Sequence, residues 1–114
     1  MQVFDPDVLG TMFGTETAMI ASVLQTFMAG TRNNLNALAQ AAAAHEFANV
    51  ASLAHKITGA CYMSGALALG QAAGNLEHAA TLGDTAVVQQ GIRNLNFQWH
   101  LAQAAIGALI TRSA

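Results

Sequence analysis

Position 55 holds the residue whose type and surroundings best suit covalent chemistry. His55 lies in the stretch AHKITGACYMSG, one helical turn before Gly59. A neutral imidazole is a competent nucleophile near neutral pH, because the unperturbed pKa of histidine is about 6.5. Glycine in a helix interior costs about 0.8–1.0 kcal/mol relative to alanine. A glycine one turn from the imidazole therefore indicates that open space is needed there, for a partner that approaches the ring.

The apolar pattern around His55 predicts which way its ring points. The residues that repeat at helical spacing, and are expected to face a core, are Val50, Leu53, Ala54, Ile57 and Cys61. At 100° per residue, His55 lies about 200° from Leu53 and Ile57, on the outer face. Its neighbours on that face are Ala51, Ser52, Thr58 and Gly59, with Tyr62 one turn further. All but Tyr62 are small, so the imidazole should stand above its surroundings.

Other candidate sites in the sequence are weaker. The pairs His45-Glu46 and Glu77-His78 could supply metal ligands, but adjacent helical residues diverge by 100°, whereas bundle metal sites use residues three apart on facing helices. We therefore expect solvated polar residues there and no metal site. Cys61 is expected in the core, since no base stands at a defined spacing from it. The chain has no glycine-rich phosphate loop with a lysine, so we expect neither ATP binding nor ATP hydrolysis.

Composition and charge exclude several classes of function. The net charge is −2, and the four cations are scattered along the chain, so neither nucleic acid nor an anionic membrane is an expected partner. The longest uncharged run, residues 57–76, contains four glycines and several polar residues, too polar a mixture for a membrane span. The start MQVFDPD lacks the blocks of a signal peptide, and a single cysteine excludes an internal disulfide. We expect a soluble, cytoplasmic domain.

The elements that position His55 are predicted to be helices. Alanine dominates, β-branched residues are sparse and there is one proline, which is a helical composition. Asp5 and Pro6 predict the start of a short first helix, which should end near Gly14. Thr15 is expected to cap a longer second helix, with Glu16 in its first turn.

Three further boundaries divide the rest of the chain. A break is expected at residues 43–46, an end or bend at Gly65, and a stop and start at Gly83-Asp84. These boundaries predict a helix over about residues 47–63, another over about 66–82 and a last one after Asp84. The chain, residues 1–114, is therefore expected to be one all-α domain, an antiparallel four-helix bundle with a short extra N-terminal helix.

Packing expectations complete the bundle. The last helix should bury a stripe that contains Val87-Val88, Ile92, Leu95, Trp99, Ala102, Ile106 and Leu109-Ile110. Gly70 and Gly74, four residues apart, predict close packing of their helix on the His55 helix, and Gln71 and Asn75 should edge a docking face. The methionines Met12, Met19, Met28 and Met63 are expected to fill gaps in the core.

The residues around His55 resemble the signature of the histidine-containing phosphotransfer (HPt) domains of bacterial multistep phosphorelays. That signature is a histidine, an apolar residue two positions on, Lys-Gly at three and four on, small residues, a glycine and a later Leu-Glu. Here it reads His55-Lys56-Ile57-Thr58-Gly59-Ala60, then Gly65-Ala66 and Leu76-Glu77. The start Phe4-Asp5-Pro6, with Val8-Leu9, Phe13 and Phe27, is also similar, so the resemblance covers nearly the whole chain. One position departs: Thr58 replaces the lysine, and the nearest cation is Lys56, about 100° around the helix.

The resemblance implies that His55 accepts and donates a phosphoryl group in a two-component phosphorelay. The partner is a response-regulator receiver domain, expected to be that of a hybrid sensor histidine kinase, which brings Mg²⁺ and the phosphorylated aspartate. The chain then needs no cofactor and no kinase or ATPase activity of its own. It is expected in the cytoplasm, free or as the C-terminal domain of a membrane-bound hybrid kinase. The supporting and docking residues are expected to be Lys56, Thr58, Gly59, Ser52, Ala51, Tyr62, Gln71 and Asn75.

Two other functions stay open on the sequence. Loss of the lysine at Thr58 favours a non-catalytic adaptor that binds a receiver, whereas retention of His55 and Gly59 favours phosphotransfer. A plain helical dimerisation module would be indicated if Trp99 and its neighbours proved exposed.

Overall fold

The computed structural model of the chain describes residues 1–14 and 16–113, and this part contains five α-helices. They are α1 (Asp7–Phe13), α2 (Thr17–Ala43), α3 (Phe47–Ser64), α4 (Leu67–Leu82) and α5 (Thr85–Ser113). The predicted boundaries are confirmed to within one or two residues. Thr15, the predicted cap of α2, lies outside the described residues, and Glu16 precedes α2 instead of standing in its first turn.

The four long helices form the predicted antiparallel bundle. Connections of two or three residues join α2 to α3, α3 to α4 and α4 to α5, and such short connections make consecutive helices antiparallel. Helix α3 packs on α2 and α4, and α5 packs on α4 and α2. Within the described residues the backbones of α3 and α5 are not neighbours, so the two helices occupy opposite corners of the bundle. No helix in the described part of the chain is long and apolar enough to cross a bilayer.

The helix ends follow from particular residues. Gly65 and Gly83 close α3 and α4 in the left-handed conformation, with φ of +100° and +74°, which glycine adopts without a side-chain clash. The Asp84 carboxylate accepts a 3.2 Å hydrogen bond from the Val87 N–H and caps α5 as predicted. After α2 the left-handed residue is His45, with φ of +56°. The boundary signal at this point of the sequence is weak, because a histidine occupies the position that glycine usually holds.

The N-terminal segment is fastened to the turn between α3 and α4. The Asp5 N–H donates to the Gly65 carbonyl over 2.8 Å, and the Ala68 N–H donates to the Gln2 carbonyl over 3.0 Å. The Asp5 carboxylate accepts from the Asp7 N–H over 3.0 Å, but the N-cap of α1 is Pro6, so the helix begins one residue later than predicted. A Cβ atom on Gly65 would overlap the Asp5 carbonyl. Glycine is therefore required at this turn for two reasons, its backbone angle and the passing chain.

One core runs along the bundle and contains most of the predicted stripes. Its largest fully buried side chains are Leu9, Leu24, Leu38, Val50, Ile57, Cys61, Leu69, Leu76, Val88, Leu95 and Ile106. The stripe predicted for α5 is confirmed except at Val87, which is exposed, since it lies 100° from the buried Val88.

The prediction for the methionines is largely wrong. Met12, Met19 and Met63 are exposed, and only Met28 packs, half-buried, against the core. Small side chains, mainly alanine, line much of this core, so helices approach closely and leave few gaps that a flexible side chain could fill. Trp99 is buried, whereas its neighbours Phe97 and Leu101 are exposed.

Candidate functional site

His55 stands at the middle of α3 on its outer face, as the helical phase predicted. Its side chain is 76% exposed. A Cβ atom placed on Gly59, one turn further along α3, would meet no described heavy atom outside its own helical turn within 4 Å. The imidazole therefore projects from a rigid helix beside open space, and an in-line approach to its free nitrogen is unobstructed on that side.

The ring of His55 has one partner that the sequence reasoning missed. The two carboxylate oxygens of Glu77, on α4, lie 3.3 Å and 3.2 Å from Nδ1 of His55. Because a carboxylate accepts only, this contact favours a proton on Nδ1 and leaves the lone pair of Nε2 free. Glu77 had been expected to be a solvated residue, yet its side chain is only 36% exposed. The contact therefore favours one tautomer and one orientation of the His55 ring.

The close approach of α3 and α4 explains how Glu77 reaches the ring. A Cβ atom on Gly70 would lie 3.1 Å from the Cβ of Cys61 and 3.2 Å from Cζ of Tyr62. The packing role predicted for Gly70 is therefore confirmed. At Gly74 the nearest neighbour of a Cβ atom would be the Thr58 hydroxyl at 3.9 Å, so this second glycine leaves more room than the contact needs.

Two of the predicted supporting residues face α4 instead of open solvent. Thr58 is half-buried, and its hydroxyl donates to the Ala54 carbonyl over 2.9 Å. The Tyr62 ring lies against Gly70, although part of it is exposed. Both side chains thus belong to the seam between α3 and α4. The expectation that Thr58 lies on the free outer face is therefore wrong. Thr58 lies 100° around α3 from the buried Ile57, on the side that faces α4.

The other predicted supporting residues lie on α3 and α4. Ser52 and Lys56 are exposed and line a polar groove of about 360 Å³ between α2 and α3, together with Glu46 and Asn49. Lys56 therefore faces α2, whereas Glu77 reaches His55 from α4. Ala51 is half-buried, and Gln71 and Asn75 are exposed on α4.

An apolar groove lies next to this face, between α1, α2 and α3. It has a volume of about 420 Å³ and is lined by Leu9, Met12, Phe13, Val23, Thr26, Phe27, Ala60, Met63 and Ser64. Met63 lies eight residues after His55 and four after Gly59, so the three share one face of α3. The exposed methionines Met12 and Met63 thus extend the His55 face as a soft apolar surface.

Neither a reactive thiol nor a metal site competes with His55 in the described residues. Cys61 is fully buried, and burial raises the pKa of its thiol to about 12, so it stays protonated and unreactive near neutral pH. Across residues 1–14 and 16–113, no three His, Cys, Asp or Glu side chains are grouped so that they could hold a metal ion.

Comparisons with known proteins agree with this geometry. The sequence model of the Hpt domain family matches residues 22–111. The fold is similar to that of histidine-containing phosphotransfer protein B (HptB) from Pseudomonas aeruginosa PAO1, with a TM-score of 0.88 and 20% sequence identity over 96% of each chain. No curated protein sequence matches significantly. Because the family model spans most of the sequence, the chain belongs to the Hpt domain family, the histidine phosphotransfer domains of two-component phosphorelays.

Proposed function

We propose that His55 is the phosphoacceptor of this domain, and that it receives a phosphoryl group from a receiver-domain aspartate and passes it to another. The observation that carries the proposal is the exposed ring of His55 with Nδ1 held by Glu77. That contact favours a proton on Nδ1 and an unprotonated Nε2, which is the state a nucleophile needs.

The transfer step is balanced without a proton donor from this chain. The Nε2 lone pair attacks the phosphorus of the aspartyl phosphate, a bond between Nε2 and phosphorus forms, and the bond from phosphorus to the aspartate oxygen breaks. The aspartate leaves as a carboxylate, and the imidazole, still protonated at Nδ1, gains a positive charge. Glu77 lies 3.2 Å from Nδ1 and stabilises that charge as it develops. The reverse step returns the phosphoryl group to a second receiver.

Docking of a receiver follows from the surface around the ring. The open flank at Gly59 admits the aspartyl phosphate, and the apolar groove beside Met63 offers a patch for an apolar helix or loop of the receiver. The exposed polar residues Ser52, Gln71 and Asn75 border this surface. Phosphoryl transfer needs mainly positioning and charge neutralisation, and in this proposal the receiver supplies the Mg²⁺. A hybrid sensor kinase in the cytoplasm is the proposed source of that receiver.

Labelling with a phosphorylated receiver tests this function. His55→Gln keeps a side chain that suits a helix but removes the nucleophile, so it should fold as the wild type does and accept no phosphate. His78→Gln is the matched control, since His78 is exposed on α4 and lacks an open glycine one turn on, and it should be labelled normally. The label should be lost in acid and persist in alkali, as a bond between phosphorus and nitrogen requires. Labelling of His55→Gln, or an acid-stable label, would refute the proposal.

A second candidate is a receiver-binding adaptor that accepts no phosphate. The observation in its favour is that the signature lysine is missing near the ring. Thr58 holds the position of that lysine, and Lys56 faces the groove on the α2 side. An adaptor would bind the receiver equally well as wild type and as His55→Gln, and neither protein would become labelled. Phosphotransfer predicts instead that labelling separates the two proteins while binding does not.

A further inference from the structure

Two exposed methionines line the apolar groove beside the His55 face. Met12, on α1, is 56% exposed, and Met63, on α3, is 67% exposed. A peroxide oxidises the thioether of an accessible methionine to a sulfoxide. The one cysteine of the chain, Cys61, is fully buried. The sulfur-containing side chains that an oxidant can reach near His55 are therefore those of the two groove methionines.

The oxidation is the transfer of one oxygen atom, and it can be reversed. The thioether sulfur attacks one oxygen of hydrogen peroxide, an S–O bond forms, and the O–O bond breaks. The proton of the transferred hydroxyl passes to the departing hydroxide, which leaves as water. Sulfur loses two electrons and the peroxide gains them. In the reverse direction a reductase uses two thiols, which become a disulfide while the sulfoxide oxygen leaves as water.

A partner that reaches His55 also covers Met63. Met63 lies eight residues after His55 on one face of α3, which is about 12 Å along the helix axis. An interface of ordinary size buries about 800 Å² of each partner, a patch of roughly 16 Å radius. A receiver that docks around the His55 ring therefore extends over Met63 and the groove that it lines.

Oxidation would change the chemistry of this covered surface. Seven of the nine residues that line the groove are apolar. A sulfoxide is polar, and its burial against an apolar partner without a hydrogen-bond donor is unfavourable. We propose that Met12 and Met63 form a reversible oxidation site, and that their sulfoxides weaken docking of the receiver. This regulation rests on the proposed phosphotransfer function.

The bundle itself should tolerate the oxidation. Met12 and Met63 lie outside the buried core, whereas Met28 is half-buried and packs against it. A sulfoxide at an exposed position displaces no core side chain, so the melting temperature should stay unchanged. Weaker docking can then be measured apart from unfolding.

Met19 provides an internal control for oxidation away from the site. It is 49% exposed and does not line the groove. It lies eight residues before Phe27, a groove residue, on the antiparallel helix α2. Met19 is therefore about 24 Å beyond His55 along the bundle. That is outside a patch of roughly 16 Å radius, so a sulfoxide at Met19 should leave docking unchanged.

Transfer kinetics of the full chain after treatment with hydrogen peroxide test the proposal. Peptide mass spectrometry should show sulfoxide at Met12, Met63 and Met19. The receiver concentration that gives the half-maximal transfer rate should rise about tenfold or more. The rate at saturating receiver should be unchanged, because His55 is not altered, and methionine sulfoxide reductase should restore the original concentration dependence.

Leucine variants assign the effect to the groove. The double variant Met12→Leu, Met63→Leu keeps an apolar groove without sulfur and should transfer equally well before and after treatment. Met19→Leu is the matched control and should remain sensitive to peroxide. An unchanged half-maximal concentration in treated wild type, equal sensitivity of the double variant, or oxidation of Met19 without Met12 and Met63 would overturn this proposal alone. Untreated wild type that accepts no phosphate would refute the proposed function, and the regulation with it.

Discussion

Removal of the Glu77 carboxylate tests the proposed tautomer of His55 directly. In Glu77→Ala the Nδ1 proton loses its acceptor, so the ring shares its proton between both nitrogens and Nε2 is less often free to attack. The pair is solvent-exposed, with side chains 76% and 36% accessible, and its oxygens lie at the long end of hydrogen-bond distances, 3.2–3.3 Å. Exposed pairs of this kind contribute about 0.2–1 kcal/mol. At about 1.36 kcal/mol for each factor of ten, transfer from a phosphorylated receiver should slow by about 1.5- to fivefold.

A graded series separates the hydrogen bond from the charge. Glu77→Gln keeps an amide oxygen that can accept from Nδ1 but removes the negative charge, so its transfer rate should lie between those of the wild type and Glu77→Ala. Glu16→Gln is the matched control, because it removes one carboxylate of the same kind outside the His55 face, and Glu16 makes no side-chain capping bond. Rapid-quench measurement of a single turnover, at saturating receiver, reports the transfer step apart from docking.

The ring itself gives the second readout. Nitrogen-15 correlation spectra of the imidazole should show the proton on Nδ1 in the wild type and a larger share on Nε2 in Glu77→Ala. An unchanged transfer rate together with an unchanged tautomer would refute the role of Glu77. A loss of about 100-fold or more would also refute it, since the contribution of an exposed pair cannot account for such an effect.

Three further experiments with substituted proteins have outcomes that we expect from the structure and from the proposed role of His55. Gly59→Leu should leave the bundle folded and block transfer, because the added side chain fills the open space beside the ring. The control Gly30→Leu lies at an exposed and equally open position of α2 and should transfer normally. Equal transfer rates in the two variants would contradict an approach to His55 past Gly59. Gly65→Ala should lower the melting temperature far more than Gly83→Ala. Both glycines have positive φ, but only at Gly65 would the added Cβ atom overlap a backbone carbonyl, that of Asp5. Equal losses of melting temperature would contradict this contact between Gly65 and Asp5. Burial raises the pKa of the Cys61 thiol to about 12, so between pH 9 and pH 12 the thiol deprotonates in the unfolded chain but not in the folded one. The free energy of unfolding of the wild type, relative to that of Cys61→Ala, should therefore fall as the pH rises from about 9 to about 12. The slope should approach about 1.4 kcal/mol per pH unit, and parallel pH curves in chemical denaturation would contradict it.

The direction of His55 could be predicted because it depends on one helix alone. A 3.6-residue period and a clear apolar stripe through Val50, Ile57 and Cys61 fix the phase of α3, whatever packs against it. The helix boundaries were equally local, since Gly65, Gly83 and Asp84 act within one turn of the backbone. The end of α2 was less certain, because His45 takes a left-handed conformation that cannot be predicted from its residue type.

Contacts between helices were harder to predict. The sequence predicted that Gly70 packs closely on α3, but it did not predict which atoms are in contact. Glu77 was interpreted as a solvated residue. One regularity would have found it: His55 and Glu77 lie eleven residues before and after Ala66, and Tyr62 and Gly70 lie four before and after it. In an antiparallel helical hairpin, residues at equal distances from the turn lie at the same height. The turn at residues 65–66 therefore brings Glu77 level with the imidazole.

The outer faces could not be assigned from periodicity. Methionines were expected in the core because they are apolar, but the alanine-rich helices pack closely without them and leave Met12 and Met63 at the surface. Val87 was assigned to the buried stripe together with Val88, but it lies 100° around the helix from Val88 and is exposed. Both errors concern apolar residues that are exposed, and two of these residues, Met12 and Met63, line the proposed docking groove.

In the proposed phosphotransfer function, the charges around His55 affect the energy of the phosphorylated ring. A phosphorylated imidazole carries two negative charges on the phosphoryl group, and a nearby cation would stabilise them. Here the position of the signature lysine holds Thr58, whose hydroxyl is engaged with the Ala54 carbonyl, and the nearest acidic group is Glu77. Glu77 stabilises the positive ring but not the phosphoryl oxygens. The phosphohistidine should therefore be high in energy relative to a lysine-containing counterpart, which favours rapid donation to a receiver over storage of the phosphoryl group.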